Sequence, residues 1–278
     1  YGIFVIDPGF KPIGWVPLNR AMRTKRPIRI GEIMDEEPIL LPVDMEQEDI
    51  AYQFTQYDLN SAPVVDPSGR MIGVVMVDDI VEVVEEEAEE DLFAISGVKQ
   101  DDLNEDVLDT MKSRFTWLLI NLGTAILASV VIGLFDATID QIVALAVLMP
   151  IVASMGGNAG TQTLAIAIRA LATRDLTPSN AVRQVGKEMT VGVINGLAFA
   201  ALIGLATLIW FQDWRLGAVI AAAMVVNMIV AGLAGILIPL GLDRAGIDPA
   251  VSSSVFLTTV TVVVGFFEFL VLAAIVLL

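Results

Sequence analysis

One stretch in the second half of the chain has polar side chains where a membrane span normally has few. Residues 150–162 read PIVASMGGNAGTQ and place Asn158 and Gln162 inside an apolar segment. Non-helical backbone at membrane depth persists only where protein buries it or water surrounds it, so we expect an interrupted helix beside a solute path. The alternative is close packing through Gly156 and Gly160, since small residues four apart let helices approach.

Other polar residues lie in the remaining apolar segments. Hydroxyls recur between positions 252 and 261, where they either line a pore or bond back to carbonyls of their own helix. Glu188 is either a residue at the membrane–water interface whose carboxylate reaches water, or a residue that anchors the functional site. Glu268 is either a functional carboxylate or a glutamate that is protonated or bonded to a partner within a helix interface. Three single amides predict hydrogen bonds between helices, with a role as ion ligands as the alternative: Asn121, Asn195 and Asn227.

Composition divides the chain into two unlike halves. Of its 278 residues 55% are hydrophobic, the mean hydropathy is +0.73, and the net charge is −17. Most acidic residues precede position 114 and nearly all long apolar runs follow it, so we predict a soluble acidic region before a membrane region. The absence of cysteine and histidine excludes the usual zinc, haem and Cys/His nucleophile chemistries. Carboxylates suit hard cations, whereas the negative charge argues against a nucleic-acid partner.

Five apolar segments predict five transmembrane helices. Lysine and arginine concentrate before the first, after the second and after the fourth segment. The positive-inside rule then places the N-terminal region in the cytoplasm and the C-terminus outside. No serine/lysine, paired-aspartate or histidine constellation lies at a span centre, so we expect no enzyme. The predicted spans are about 114–135, 139–171, 189–210, 216–241 and 251–278.

The soluble region repeats one hairpin design. The runs 3–6 and 13–16 flank Asp7-Pro-Gly9, and the runs 62–65 and 71–76 flank Asp66-Pro-Ser-Gly69. Both predict β-hairpins followed by a short helix, about sixty residues apart, which indicates an internal duplication. Residues 47–57 predict an amphipathic helix, and the opening run 1–6 is expected to be an interior strand of a longer domain.

A dense acidic run joins the two halves. Between positions 78 and 91 nine acidic residues are nearly contiguous, and Lys99 alone opposes them. Like charges four apart on a helix, such as Glu82 and Glu86, repel by a few tenths of a kcal/mol per pair. A helix there either stays a solvated linker or binds cations.

These features together resemble the MgtE family of magnesium channels and transporters, over essentially the whole chain. The hairpins resemble a pair of CBS motifs, and the motif residues of the membrane region are GGNAGTQ at 156–162, IRALATRD at 168–175, KEM at 187–189 and DPA at 248–250. The resemblance implies a homodimer in the cell inner (plasma) membrane, in contact with lipid, that passes Mg²⁺ under control of cytosolic Mg²⁺.

The resemblance also implies a domain organisation. The fold class is an α-helical membrane protein with five transmembrane helices, an N-terminal cytoplasmic α+β CBS region and an acidic connecting helix. Residues 1–27 would be the end of a truncated first CBS motif and 28–82 the second. Residues 83–113 would be the connecting, or plug, helix with its linker, and 114–278 the transmembrane domain. The nucleotide-binding hydroxyl is missing from both CBS copies and the ribose aspartate from the first, which argues against a nucleotide cofactor.

The family's ion sites can be carried over position by position. The ion path would run beside the second and fifth spans, and the regulatory Mg²⁺ would bridge carboxylates of the CBS region and plug helix. The path residues implied are Gly157, Asn158, Gln162, Ser254, Thr258 and Val262. The regulatory carboxylates implied are Glu48, Asp58, Asp79, Glu82, Glu87, Glu90 and Asp91.

One path position departs from the family. The family has an aspartate where this chain has Val262, and two such aspartates form its main pore site. Strongly hydrated Mg²⁺ is held mainly by charge, so a neutral site predicts weaker binding. Glu268 is the other acid of that span, but six positions separate it from Val262 and the two do not share a helix face. A membrane sensor of divalent cations that does not conduct, or that has altered selectivity, is therefore the alternative function.

Overall fold

The computed structural model describes residues 2–98 and 106–278. It divides into two compact units, Tyr1–Glu89 and Glu90–Leu278. Part of the predicted linker, including Lys99, lies outside the described residues. The division falls inside the predicted connecting helix, so the domain boundaries given above stay predictions.

The first unit contains two three-stranded sheets. Strands β1 (Gly2–Ile6), β2 (Pro12–Pro17) and β3 (Asp35–Glu36) form one antiparallel sheet. Strands β4 (Leu41–Pro42), β5 (Ser61–Val65) and β6 (Met71–Met76) form the other, with β4 parallel to β5 and β6 antiparallel to it. The remaining elements are α1 (Leu18–Arg23), a 3₁₀ turn (Ile30–Glu32), α2 (Gln47–Gln56) and the start of α3 (Val77–Ser96).

Both predicted hairpins are present, and their turns have the same hydrogen bonds. Asp7 Oδ1 accepts the backbone N–H groups of Gly9 and Lys11, each at 2.8 Å. Asp66 Oδ1 accepts those of Ser68 and Arg70, each at 2.9 Å. Each hairpin also has a register shift at the last residues of its first strand. Two copies with the same turn and the same irregularity agree with the predicted duplication.

The two hairpins lead into helices of different length. A short helix, α1, comes after the first, whereas the 20-residue α3 comes after the second and joins the expected short helix to the beginning of the predicted connecting helix. The small core of this unit explains the beginning of α3. Ile80 of α3 is buried with Phe54 of α2, Leu41 of β4 and Ala62 of β5. The buried Ile80 holds the beginning of α3 in the core, and most acidic residues of α3 follow it along the helix.

In its described residues the second unit has five helices of spanning length and apolar composition. They are α4 (Val107–Gly133), α6 (Ala144–Ala172), α7 (Ala181–Phe211), α8 (Trp214–Arg244) and α9 (Pro249–Leu277); the short helix α5 (Asp136–Gln141) lies in the loop after α4. The predicted number of spans is confirmed. The second span begins at 144 rather than 139, because α5 occupies the intervening residues, and the third begins at 181 rather than 189.

The helix α8 is the centre of this unit. Fifteen of its residues are buried, among them Ile220, Ala223 and Met224, and α6, α7 and α9 pack against it. Helix α4, in contrast, buries only Ala128. Its apolar side chains, such as Leu118 and Leu119, are exposed and form a surface suited to lipid tails.

Candidate functional site

The predicted interruption of the second span is wrong, because α6 is one continuous helix from Ala144 to Ala172. Pro150 lies within its second turn, and the glycines that suggested a break are helical. Membrane helices tolerate proline and glycine where neighbouring helices support the backbone. Here that support is close packing against α8 and α9.

Two of the glycines are contact points between helices. A Cβ atom at Gly156 would lie 2.4 Å from Nδ2 of Asn227 on α8, and one at Gly160 would lie 2.8 Å from Cδ1 of Leu257 on α9. Asn227 is fully buried and its Nδ2 donates to the carbonyl of Val152 on α6 at 2.7 Å. The alternative of close helix packing is therefore correct for Gly156 and Gly160.

The polar residues of α6 lie on a different face, which is exposed. Asn158 and Gln162 are four residues apart and exposed, and no atom lies within 4 Å of a Cβ placed on Gly157. Ser154 and Thr161 extend this face, although the sequence reasoning did not include them. The Nδ2 atom of Asn158 approaches Ser154 Oγ at 3.4 Å, one turn away. Ser154 could have been identified from the sequence, because it precedes Asn158 by four residues and therefore lies on the same helix face. We call Ser154, Asn158, Thr161 and Gln162 the polar face.

The implied residues of α9 are half-buried. Thr258 Oγ1 donates to the carbonyls of Ser254 and Val255, and Thr261 Oγ1 to that of Leu257. These threonines bond back to their own helix, as one of the two expectations had it. Val262 is half-buried and presents an apolar side chain. The side chain of Ser252 lies outside the described part of the chain.

The single amides of the other spans behave differently from one another. Asn227 bonds between helices, as expected. Asn121 does not, because its Nδ2 donates to the carbonyl of Trp117 in its own helix. Asn195 is exposed on α7. Sequence context alone did not distinguish these three residues.

The two intramembrane acids have different surroundings. Glu188 on α7 accepts a hydrogen bond from Thr163 Oγ1 on α6 at 3.0 Å, which identifies it as a link between two helices. Glu268 on α9 is half-exposed as a residue, but both of its carboxyl oxygens are buried. Neither acid belongs to the polar face of α6.

The seven implied regulatory carboxylates are distributed along α2, α3 and one loop. Asp79 accepts the backbone N–H of Met76 at 2.9 Å, and Glu87 accepts a hydrogen bond from the amide of Gln47, the residue before Glu48. Asp58 follows α2 with φ of 50°. Glu82 and Glu90 are exposed on α3, and Asp91 is half-buried there. Within residues 2–98 and 106–278, no three acidic side chains form a group able to hold a metal ion.

The end of α3 has an apolar contact with the membrane helices. Ala94 and Ile95 pack against a cluster that contains Leu164 and Ile168 of α6 and Leu257 of α9. The end of this acidic helix therefore touches the same two helices that carry the implied path residues.

The first unit contains a cavity of about 350 Å³ between the sheets. Phe4, Trp15 and Tyr57 line it, and Trp15 Nε1 is buried without an acceptor among the described residues. The other lining residues include Asp35, Glu36, Glu37 and Asp58, and no lysine or arginine. A lining with this charge does not suit phosphate groups. The expectation against a nucleotide cofactor stays a prediction.

Comparison with known proteins gives the same assignment for both halves. Residues 149–272 match the MgtE family of divalent cation transporters, and residues 30–86 match the CBS domain. The magnesium transporter MgtE of Enterococcus faecalis is 33% identical over 261 residues, 94% of this chain and 58% of that protein. The magnesium transporter MgtE of Thermus thermophilus is 33% identical over 273 residues, 97% of this chain and 60% of that protein.

Solved structures match over about a third of the chain. The soluble part of a magnesium transporter is 32% identical, covers 32% of this chain and 34% of that one, and has a TM-score of 0.31. The cytosolic domain of the Mg²⁺ channel MgtE in complex with ATP is 34% identical, covers 30% of this chain and 34% of that one, and has a TM-score of 0.29. The chain spans about three fifths of the length of the curated relatives it matches. With a CBS domain ahead of five membrane helices and an MgtE match across four of them, the chain belongs to the MgtE family.

Proposed function

We propose that the protein is a membrane transporter or channel for Mg²⁺, with the polar face of α6 on the ion path. The observation that carries this proposal is the row of exposed side chains from Ser154 to Gln162 on an otherwise apolar helix. Exposed polar groups at membrane depth need water, an ion or a partner chain. The magnesium transporters among the relatives support Mg²⁺ as the cargo. A role in transport requires no catalytic chemistry from the chain.

The partner that we propose for the polar face is a second copy of the chain, related by a twofold axis. An isologous interface brings the same residues of both copies together, so Asn158 would face its symmetry mate across a polar path. In this arrangement the first unit is cytoplasmic, the C-terminus is outside and α4 faces lipid. The membrane is the cell inner (plasma) membrane.

The absence of cysteine makes this arrangement simple to test. Asn158→Cys introduces one thiol on the polar face, and Leu119→Cys introduces one on the exposed surface of α4. We expect a bifunctional thiol reagent that spans the path to produce a cross-linked dimer of the Asn158→Cys protein in membranes, since the twofold axis places the two thiols opposite each other. Leu119→Cys should remain monomeric on a denaturing gel. Equal yields of dimer from both variants would contradict the interface.

Val262 favours the alternative function, a divalent-cation sensor that does not conduct or has altered selectivity. Its side chain is apolar and the implied α9 path residues Ser254 and Thr258 are neutral, so that side of the path has no fixed charge. Disturbing the water shell of Mg²⁺ without a compensating charge is unfavourable. We expect slow Mg²⁺ flux in liposomes containing this chain.

The test of the function is Val262→Asp, with Val263→Asp as the matched control one position away. Two added carboxylates at the axis should raise Mg²⁺ flux severalfold, whereas an aspartate on the neighbouring face should not. Glu268→Gln should change flux less than Val262→Asp. If flux is already fast and neither aspartate changes it, the path does not pass position 262.

We also propose that Mg²⁺ regulates the protein through the carboxylates of α2 and α3. The support is the high density of acidic residues on α3 and the contact of Ala94 and Ile95 with α6 and α9. A divalent ion that bridges carboxylates would reduce their repulsion and favour the helical form of α3. Ordering α3 would hold its end against the helices of the path.

A further inference from the structure

Three buried oxygen atoms near the middle of the second unit lack a hydrogen-bond donor. They are Oδ1 of Asn227 and both carboxyl oxygens of Glu268, and within the described part of the chain none has a partner. The other polar atom of Asn227, Nδ2, already donates to the carbonyl of Val152. All three oxygens can accept but cannot donate while the glutamate is ionised.

The two residues face each other between α8 and α9. Gly265 of α9 lies against Asn227, since a Cβ atom there would be 3.0 Å from Nδ2. Glu268 is three positions further along α9, on the same side of the helix, and its carboxyl group lies near the backbone of Asn227. Oδ1 of Asn227 and the carboxyl oxygens of Glu268 therefore belong to one site.

A site made only of acceptors is completed by a proton or by a metal ion. A metal ion needs a larger set of oxygen ligands and the space to arrange them. This site offers one carboxyl group and one amide oxygen, and it has little space, since Gly156 and Gly265 hold the amide closely from α6 and α9. A proton needs no additional volume, and it converts one of the three acceptors into a donor.

We propose that Glu268 is a proton-binding site in which the neutral carboxylic acid donates its O–H to Oδ1 of Asn227. One proton then satisfies the amide oxygen and removes a charge from the membrane interior, two unfavourable features that otherwise remain. With the bond from Asn227 to Val152, it forms a chain that joins α9 to α8 and α8 to α6. The site is distinct from the polar face of α6 and goes beyond the proposed transport.

The site is tested on the full chain in detergent. Glutamine retains both the shape of the side chain and an N–H donor, so Glu268→Gln should unfold within about 2 °C of the wild type. Leucine fills the space but leaves Oδ1 of Asn227 without a donor, so Glu268→Leu should unfold at least about 3 °C lower, as expected for loss of a buried bond in a chain of this size. Equal losses in the two variants would overturn the proposal.

Infrared spectroscopy with isotope-labelled glutamate gives a second readout that needs no variant to be stable. The wild type at neutral pH should show the carbonyl band of a protonated carboxyl group. The band should be lost in Glu268→Gln and kept in Glu188→Gln, the matched control at the other intramembrane acid. Absence of the band would refute the proton site. So would an unfolding temperature raised by Na⁺ or Mg²⁺ in the wild type but not in Glu268→Gln, since that would identify a metal site.

Discussion

Gly156→Ala should destabilise the membrane unit far more than its size suggests. The added Cβ would lie 2.4 Å from Nδ2 and 2.8 Å from Cγ of Asn227, whereas ordinary contacts are 3.4–4 Å. The buried amide would have to move by about an ångström and lose its 2.7 Å bond to Val152. Overpacking costs about 1–3 kcal/mol and an unpaired buried amide costs about 1–3 kcal/mol more. We therefore expect a loss of about 2–6 kcal/mol.

The adjacent glycine provides the control. Gly157→Ala has no atom within 4 Å of the new Cβ and should be neutral or slightly stabilising, since alanine is favoured over glycine in a helix by about 0.5–1 kcal/mol. Gly160→Ala should fall between the two, because its neighbour is the mobile end of Leu257. Thermal unfolding in detergent measures the ranking, and Gly156→Ala should unfold at least about 4 °C below the wild type. Equal unfolding temperatures for Gly156→Ala and Gly157→Ala would refute the packing account.

The remaining predictions concern the first unit and α3. The Ser68 hydroxyl and the Arg70 backbone N–H lower the pKa of Asp66 to about 2, so its stabilising effect on the turn should be complete above about pH 4 and lost as the pH falls through 2. Carboxyl NMR titration measures this, and a midpoint near 4 would contradict the turn geometry. Millimolar Mg²⁺ should slow proteolysis of the first unit. This protection should be weaker in the double variant Glu82→Gln/Glu90→Gln than in the control double variant Glu85→Gln/Glu86→Gln. Equal cleavage with and without Mg²⁺ would exclude regulation through α3.

The features predicted correctly were those determined by local sequence. An aspartate with proline and glycine between two β-branched runs produces the same turn at Asp7 and at Asp66 because the hydrogen bonds involve only neighbouring residues. The number of spans follows from hydropathy and length in the same way. Neither needs knowledge of what packs against the segment.

The wrong predictions depended on neighbours that the sequence does not reveal. The glycines near Asn158 suggested a break, but Gly156 and Gly160 are small because Asn227 and Leu257 lie against them. Asn121 and Asn227 have similar apolar surroundings in the sequence, yet one bonds to its own helix and the other to α6. Ser154 was missed because it is unremarkable until α6 is known to be continuous and to align it with Asn158.

The fit of Asn227 between Gly156 and Gly265 also limits how this part of the protein can evolve. The amide occupies the volume that side chains at both glycines would need, so the three positions share one space. A lineage that enlarges either glycine must first shorten Asn227, and shortening it leaves a void and removes the bond to Val152. Any single substitution at one of these positions therefore gives a less stable protein. We expect Gly156, Asn227 and Gly265 to be retained together or replaced together in related sequences.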